Sequence, residues 1–235
     1  MKPELSEKSH LIRSGTGRQR ILFNTNIVLL IALIIIIFVI PAAANIHTQE
    51  YYLTRGLLSV IVVSGLFAAE FTRTAFRVLA TIGTMVILVT LVDMLFPQSQ
   101  HLSTISFLLN TLFFIIVTIA LVAHVAVARL VDSSTLLCAI NSYLLIGLTL
   151  SLLFLILDIL IPESFTQANA TEGGLSAFIY YGFVTLTTLG YGDITPANPV
   201  ARSLASFTAL FGQLYLVIIM ALIIGKYLSG KKDKN

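Results

Sequence analysis

The chain has 235 residues, of which 57% are hydrophobic and only 11% charged, and its mean hydropathy is +0.96. Ordinary globular domains carry roughly one-quarter charged residues, so the composition excludes an aqueous globular protein and leaves no stretch long enough for a separate aqueous domain. The net charge is +3, and the single Cys138 rules out an intrachain disulfide and a cysteine-only metal site.

Residues 1–20 are polar and basic and read as a mobile cytoplasmic arm that holds topology rather than binding nucleic acid. An apolar run follows from Ile21 to Ile40, long enough at about 1.5 Å per residue to cross a bilayer. The small residues of Pro41-Ala42-Ala43-Ala44 look like a signal-peptidase site, but the run exceeds the usual h-region of about 7 to 15 residues, so a retained first span is expected. Further spans are expected over Leu53–Ala69, Ala75–Phe96, Leu102–Val127, Leu136–Ile161 and Val200–Leu228. Glu70, Arg73 and Arg77 punctuate the second and third spans, and Arg129 with Asp132 the fourth and fifth.

With the N-terminus inside, every Lys and Arg except Arg55 and Arg202 falls on the cytoplasmic side. The positive-inside rule therefore predicts six spans with both termini cytoplasmic, in the cell membrane, and puts the segment 162–199 outside. Trp is absent, which leaves Tyr51, Tyr52, Tyr143 and Tyr227 as interfacial anchors.

Within that outer segment, residues 174–187 form an apolar stretch of about four helical turns, too short to span. Irregular backbone at membrane depth survives only where it is buried in protein or lines water. The stretch is therefore expected as a re-entrant helix, with its C-terminal partial negative charge aimed at a cation path. The string Thr187-Thr188-Leu189-Gly190-Tyr191-Gly192-Asp193 comes next. A cation entering a bilayer loses water at a cost of roughly tens of kcal/mol in the idealised limit, so fixed oxygens must replace that water. Carbonyls of successive residues face one axis only if the backbone alternates its handedness, which Gly190 and Gly192 permit.

This string resembles the selectivity filter of potassium channels, TVGYG, with Leu189 in place of Val. The resemblance carries a specific motif over about residues 136–228; over 1–132 it is a span count only. It implies an all-α integral membrane protein of six transmembrane helices, with a re-entrant pore helix and filter loop between spans five and six. The division is a basic arm (1–20), a four-helix membrane domain (21–132), a pore domain (133–229) and a short tail (230–235). The pore domain holds the pore helix 174–187, the filter 188–192 and the inner helix 200–228.

One filter hairpin cannot encircle an ion, so a homotetramer in the bilayer is implied. K+ is the permeant ion, held by Thr188, Leu189, Gly190, Tyr191 and Gly192, and no cofactor is expected. A regulatory ligand or lipid is left open as a further partner. Asp193 takes the outer-mouth position. The family often braces this aspartate from the pore helix, with a Glu four residues or a Trp eight residues before the filter threonine. Those places hold Val184 and Tyr180, so Tyr180 is expected to donate its hydroxyl to Asp193. Gly212 stands at the family's hinge position, although close helix packing also explains a glycine there. Leu216, Met220 and Ile224 form a stripe expected to close the pore by dewetting.

The fourth span lacks the repeated Arg or Lys of a voltage sensor, so weak or absent voltage dependence is expected. Asn110 and His124 on that span read as interhelical hydrogen-bonding groups, with a ligand or proton-sensing role as the alternative. Few residues follow the last span, and no ligand-binding domain is expected there. Three competing readings remain. Gly190-Tyr191-Gly192-Asp193 also fits the GxGD string of intramembrane aspartyl proteases, but the Tyr-Asp pair carrying their first carboxylate is missing. Potassium uptake transporters place four single-glycine filters in one chain. A weakly selective cation channel would better suit an acidic residue at Tyr191. No enzyme is expected.

Overall fold

A backbone in hydrocarbon must satisfy its own N–H and C=O groups, and long runs of Leu, Ile, Val and Phe therefore become helices. The computed structural model describes residues 3–42, 47–68, 72–128, 132–168 and 174–232, with side chains over 22–41, 51–68, 72–128, 132–168 and 174–226. The helices are α1 (Pro3–Ala42), α2 (His47–Ala68), α3 (Arg73–Leu95), α4 (Gln100–Val127), α5 (Ser133–Leu160), α6 (Gly174–Leu186) and α7 (Pro199–Lys232). All but α6 are long and apolar enough to cross a membrane. The chain is thus an all-α membrane protein with six candidate spans.

The span ends agree with the hydropathy pattern to within a few residues. The expected mobile arm differs: α1 begins at Pro3 and runs unbroken into the first span, because extending an existing helix costs far less than nucleating one. Glu70, Arg129, Ala43 and Ala44 lie outside the described residues, as do the side chains of residues 1–21, Tyr227 and the C-terminal lysines.

Helices α1 to α4 pack in sequence as a bundle; α1 and α4 also lie against α5, and α1 touches α6. Two polar knots hold this arrangement at opposite ends. At the end where α2 begins and α3 ends, Arg55 Nε donates to Asp93 Oδ2 at 2.6 Å, with both side chains almost wholly buried. Tyr51 donates to the Asp93 carbonyl (2.8 Å), Ser103 donates to Asp93 Oδ1 (2.7 Å), and the Arg55 guanidinium lies 3.6 Å from the Tyr51 ring centroid. At the opposite end, Asn26 donates to the Ala68 carbonyl (2.9 Å) and Asn141 to the Asn26 carbonyl (2.9 Å), joining α1, α2 and α5.

Asn110 is fully buried and donates to Thr90 Oγ1 across α3 and α4 at 3.2 Å, and His124 lies in the last turn of α4. Tyr143, expected as an interfacial anchor, packs its ring on Tyr215 of α7 with centroids 5.6 Å apart, a contact that the sequence pattern does not reveal. Asp132 caps α5, accepting from the Thr135 N–H (2.8 Å) and hydroxyl (2.7 Å). Burial pushes its carboxyl up, but the two Thr135 bonds outweigh that and hold it below the usual carboxylate range.

Candidate functional site: the loop between α6 and α7

Helix α6 is seated by small residues and rings. A Cβ on Gly182 would strike the Ser151 side chain, and one on Gly147 would strike the Phe183 ring, so α5 and α6 approach at a distance only glycine allows. Phe154 of α5 meets Phe165 and Tyr181 at 5.5 and 4.8 Å, and Phe165 meets Phe178 at 5.5 Å. Phe165 belongs to a two-residue strand, β1 (Phe165–Thr166), paired antiparallel with β2 (Thr195–Pro196) in the register Phe165↔Pro196 and Thr166↔Thr195. These contacts fix both flanks of the loop that follows α6.

The loop leaves the helix by wrapping over its last turn. Thr188 N–H bonds the Thr185 carbonyl at 3.0 Å, and the Val184 carbonyl accepts from Leu189 (3.0 Å) and Gly190 (3.4 Å). Thr188, Gly190 and Gly192 then take φ of +61°, +56° and +81°, whereas Leu189 and Tyr191 between them do not. Positive φ thus recurs at every second residue, the alternation that successive carbonyls need if they are to face a common side. The two glycines take these values at little cost. Thr188 adopts one that a β-branched residue rarely visits, and its hydroxyl accepts from Gln213 Nε2 of α7 at 3.2 Å.

At the far end of the loop, the Tyr180 hydroxyl donates to Asp193 Oδ2 at 2.6 Å. That bond is the main reason the Asp193 carboxyl sits below its ordinary value, and the same bond raises the Tyr180 hydroxyl. Val184, the other position considered for a brace, lies largely buried behind the loop. Leu189 and Tyr191 are 59% and 67% exposed, an unusual state for large apolar side chains on a well-anchored loop.

Helix α7 starts from a cap that the sequence analysis passed over. Asn198 Oδ1 accepts from Ala201 N–H at 2.8 Å, and its amide donates to Ser164 Oγ at 2.7 Å. An Asn immediately before Pro199 is the usual signature of such a start. Farther along, a Cβ on Gly212 would collide with the Leu186 carbonyl oxygen. The helix passes this point without a break, so the crossing with α6 supplies a reason for glycine that needs no bend. Tyr215 and Ile219 are buried on the face toward the rest of the chain, whereas Leu216, Met220 and Ile224 are exposed. Near the end of α7, Lys226 Nζ donates to the carbonyls of Val125 (2.9 Å) and Ala126 (2.8 Å) in the last turn of α4; no periodicity in the sequence signals this contact.

Residues 142–229 match a family described as "Ion channel". Among curated proteins, the chain is 34% identical over 61 residues to "Two pore potassium channel c" of Oryza sativa subsp. japonica, covering 26% of this chain and 13% of that protein. It is 32% identical over 59 residues to "Inward rectifier potassium channel Kirbac3.1" of Paramagnetospirillum magnetotacticum, covering 25% and 20%. It is 26% identical over 69 residues to "Potassium voltage-gated channel protein shk-1" of Caenorhabditis elegans, covering 29% and 13%. The chain thus spans a fifth or less of the length of the relatives it matches. No solved structure matches it. Over residues 142–229 the chain is thus similar to an ion-channel family, and the curated relatives it resembles over short stretches are potassium channels.

Proposed function

We propose that the chain is a subunit of a homotetrameric, potassium-selective channel that conducts passively across the cell membrane, both termini facing the cytoplasm. The observation that carries this reading is the alternation of φ through Thr188, Leu189, Gly190, Tyr191 and Gly192, the backbone form needed for stacked rings of carbonyl oxygen. In this reading Thr188, Leu189, Gly190 and Tyr191 present the oxygens that replace an ion's water, with the Thr188 hydroxyl at the inner end. K+ is cargo, and no cofactor takes part. Four copies of Asp193 would concentrate cations at the outer mouth. Three further copies would cover the exposed Leu189 and Tyr191 side chains and the open face of α7.

The C-terminal turn of α6 lies directly before Thr188, so the partial negative charge of that helix end favours a cation in the low-dielectric centre. Below it, Leu216, Met220 and Ile224 face away from their own chain and would form the dewetting gate. The span α4 contains no Lys or Arg, which supports weak voltage dependence. The Tyr-Asp pair that the protease alternative calls for does not occur in the sequence.

The test is the mass of the purified protein together with cation flux in proteoliposomes. A mass of four chains and an uptake of K+ far above Na+ is expected. A dimer, or equal flux of the two ions, overturns the reading.

A further inference from the structure

Helices α1, α2 and α3 leave an open groove of about 430 Å3, lined mainly by Asn24 and Val28 of α1, Val60, Val63 and Phe67 of α2, and Ile87 of α3. It runs about 10 Å along α2, from Val60 to Phe67. Its exposed walls are mostly apolar, although Asn24, Thr25, Ser59 and Ser64 also line it. The two serines that reach it, Ser59 and Ser64, donate their hydroxyls to the backbone carbonyls of Arg55 (3.0 Å) and Val60 (2.7 Å) and have no proton left to offer.

Basic side chains lie beyond one end of the groove. Phe67 meets Phe76 of α3 with ring centroids 5.5 Å apart, and Phe76 stands between Arg73 and Arg77. Arg73, Phe76 and Ile87 follow helical spacing, so they share the α3 face that borders the groove, with Arg77 at its edge. Both arginines are exposed, and neither has an ion-pair partner among the described residues. They mark the end of the bundle where α3 begins, which the proposed orientation sets at the cytoplasmic headgroups.

An apolar channel that opens toward two exposed guanidinium groups at a membrane surface has the chemistry of an anionic glycerophospholipid. Arginine's planar fork suits a phosphate, and basic pockets between transmembrane helices recognise lipid headgroups in this way. We propose that one such lipid occupies this groove, an acyl chain along Val28, Val60 and Val63 and its phosphate against Arg73 and Arg77. The inference rests on the bilayer orientation given above, but not on conduction.

The test is native mass spectrometry of the purified full chain after exchange into phosphatidylglycerol or phosphatidylcholine with identical acyl chains. The wild type is expected to retain phosphatidylglycerol about tenfold over phosphatidylcholine, since each basic side chain at the surface adds a modest increment. The double variant Arg73→Gln with Arg77→Gln is expected to lose that preference while keeping its phosphatidylcholine. Val63→Trp fills the groove and is expected to lower retention of both lipids; Val60→Phe serves the same purpose should the tryptophan variant not fold. Equal retention by the wild type, or a preference that survives the double variant, overturns the proposal. So does a groove-filling variant that binds lipid normally but loses copies of the chain, an outcome that would assign the groove to a contact between subunits. Because bound lipid is read by mass, a failure here stays distinct from a failure of ion flux.

Discussion

Gly212 of α7 and Leu186 of α6 meet backbone to backbone: the space a Cβ would need on the glycine is already taken by the leucine's carbonyl oxygen. That oxygen belongs to the last helical residue before the loop, two residues ahead of Thr188. The crossing therefore ties the position of α7 directly to the start of the loop that follows α6.

Gly212→Ala is accordingly expected to cost about 1–3 kcal/mol, the usual penalty of forcing extra volume into a packed site. The loss should appear as a lower thermal transition of the purified assembly and as fewer complete oligomers. Gly56→Ala, where a Cβ meets nothing within 4 Å, is the control, and it should be neutral or slightly stabilising because alanine is the better helix former. An intact assembly with altered opening in Gly212→Ala would favour the hinge role over close packing.

Tyr180→Phe removes the hydroxyl bound to Asp193 while keeping the ring. The variant is expected to let the filter lose conduction faster during sustained current, read as the decay of macroscopic current. The pH dependence follows from the direction of the Asp193 shift, chiefly caused by that hydroxyl. A carboxyl depressed in the folded state contributes its bond above the ordinary carboxylate range and loses it as pH falls through the lowered value. Acidifying the outer face into that window should make the wild type decay like Tyr180→Phe, and the variant should respond less. Identical decay of the two proteins at neutral pH would remove the brace from the account.

The Arg55–Asp93 pair is buried, and cutting either side alone strands a charge. Asp93→Ala or Arg55→Ala is expected to cost about 3–5 kcal/mol, whereas an apolar replacement of both, such as Arg55→Met with Asp93→Leu, should recover much of the loss. Thermal unfolding in detergent of the two single variants and the double variant measures the coupling. Additive losses would show that the pair does not act as a unit.

Lys226 caps carbonyls that α4 cannot satisfy by itself, and its charge suits the negative end of that helix. Lys226→Met should cost about 0.3–1 kcal/mol, a typical end-of-helix contribution. Since it joins the exposed stripe of α7 to the four-helix bundle, the variant is also expected to change open probability several-fold at unchanged unitary conductance. Single-channel recording separates the two quantities. Unchanged opening would reduce the contact to a local cap.

How much of this was legible in the residues depends on the range of the interaction concerned. Spans were readable because the bilayer imposes a length on every apolar run, and the loop after α6 because Gly190 and Gly192 can hold positive φ where other residues resist it. Counting back eight residues from Thr188 brought Tyr180 to the level of Asp193. Partners distant in sequence left no such trace. Arg55 and Asp93 fall near span ends, but nothing in the sequence sets them against each other, since pairing depends on how α2, α3 and α4 rotate in the bundle. Gln213 on Thr188 and Lys226 on Val125 depend in the same way on how α7 crosses its neighbours. Thr188 itself was chosen for its oxygen atoms, and its left-handed backbone, held by Thr185 and Val184 carbonyls around it, has no signature in a threonine.

The most direct test of the central claim is the reversal potential of single channels in a planar bilayer with K+ on one side and Na+ on the other. The account predicts a large displacement in the direction that only K+ permeation produces. A reversal potential near zero in ohmic, well-resolved openings would contradict it.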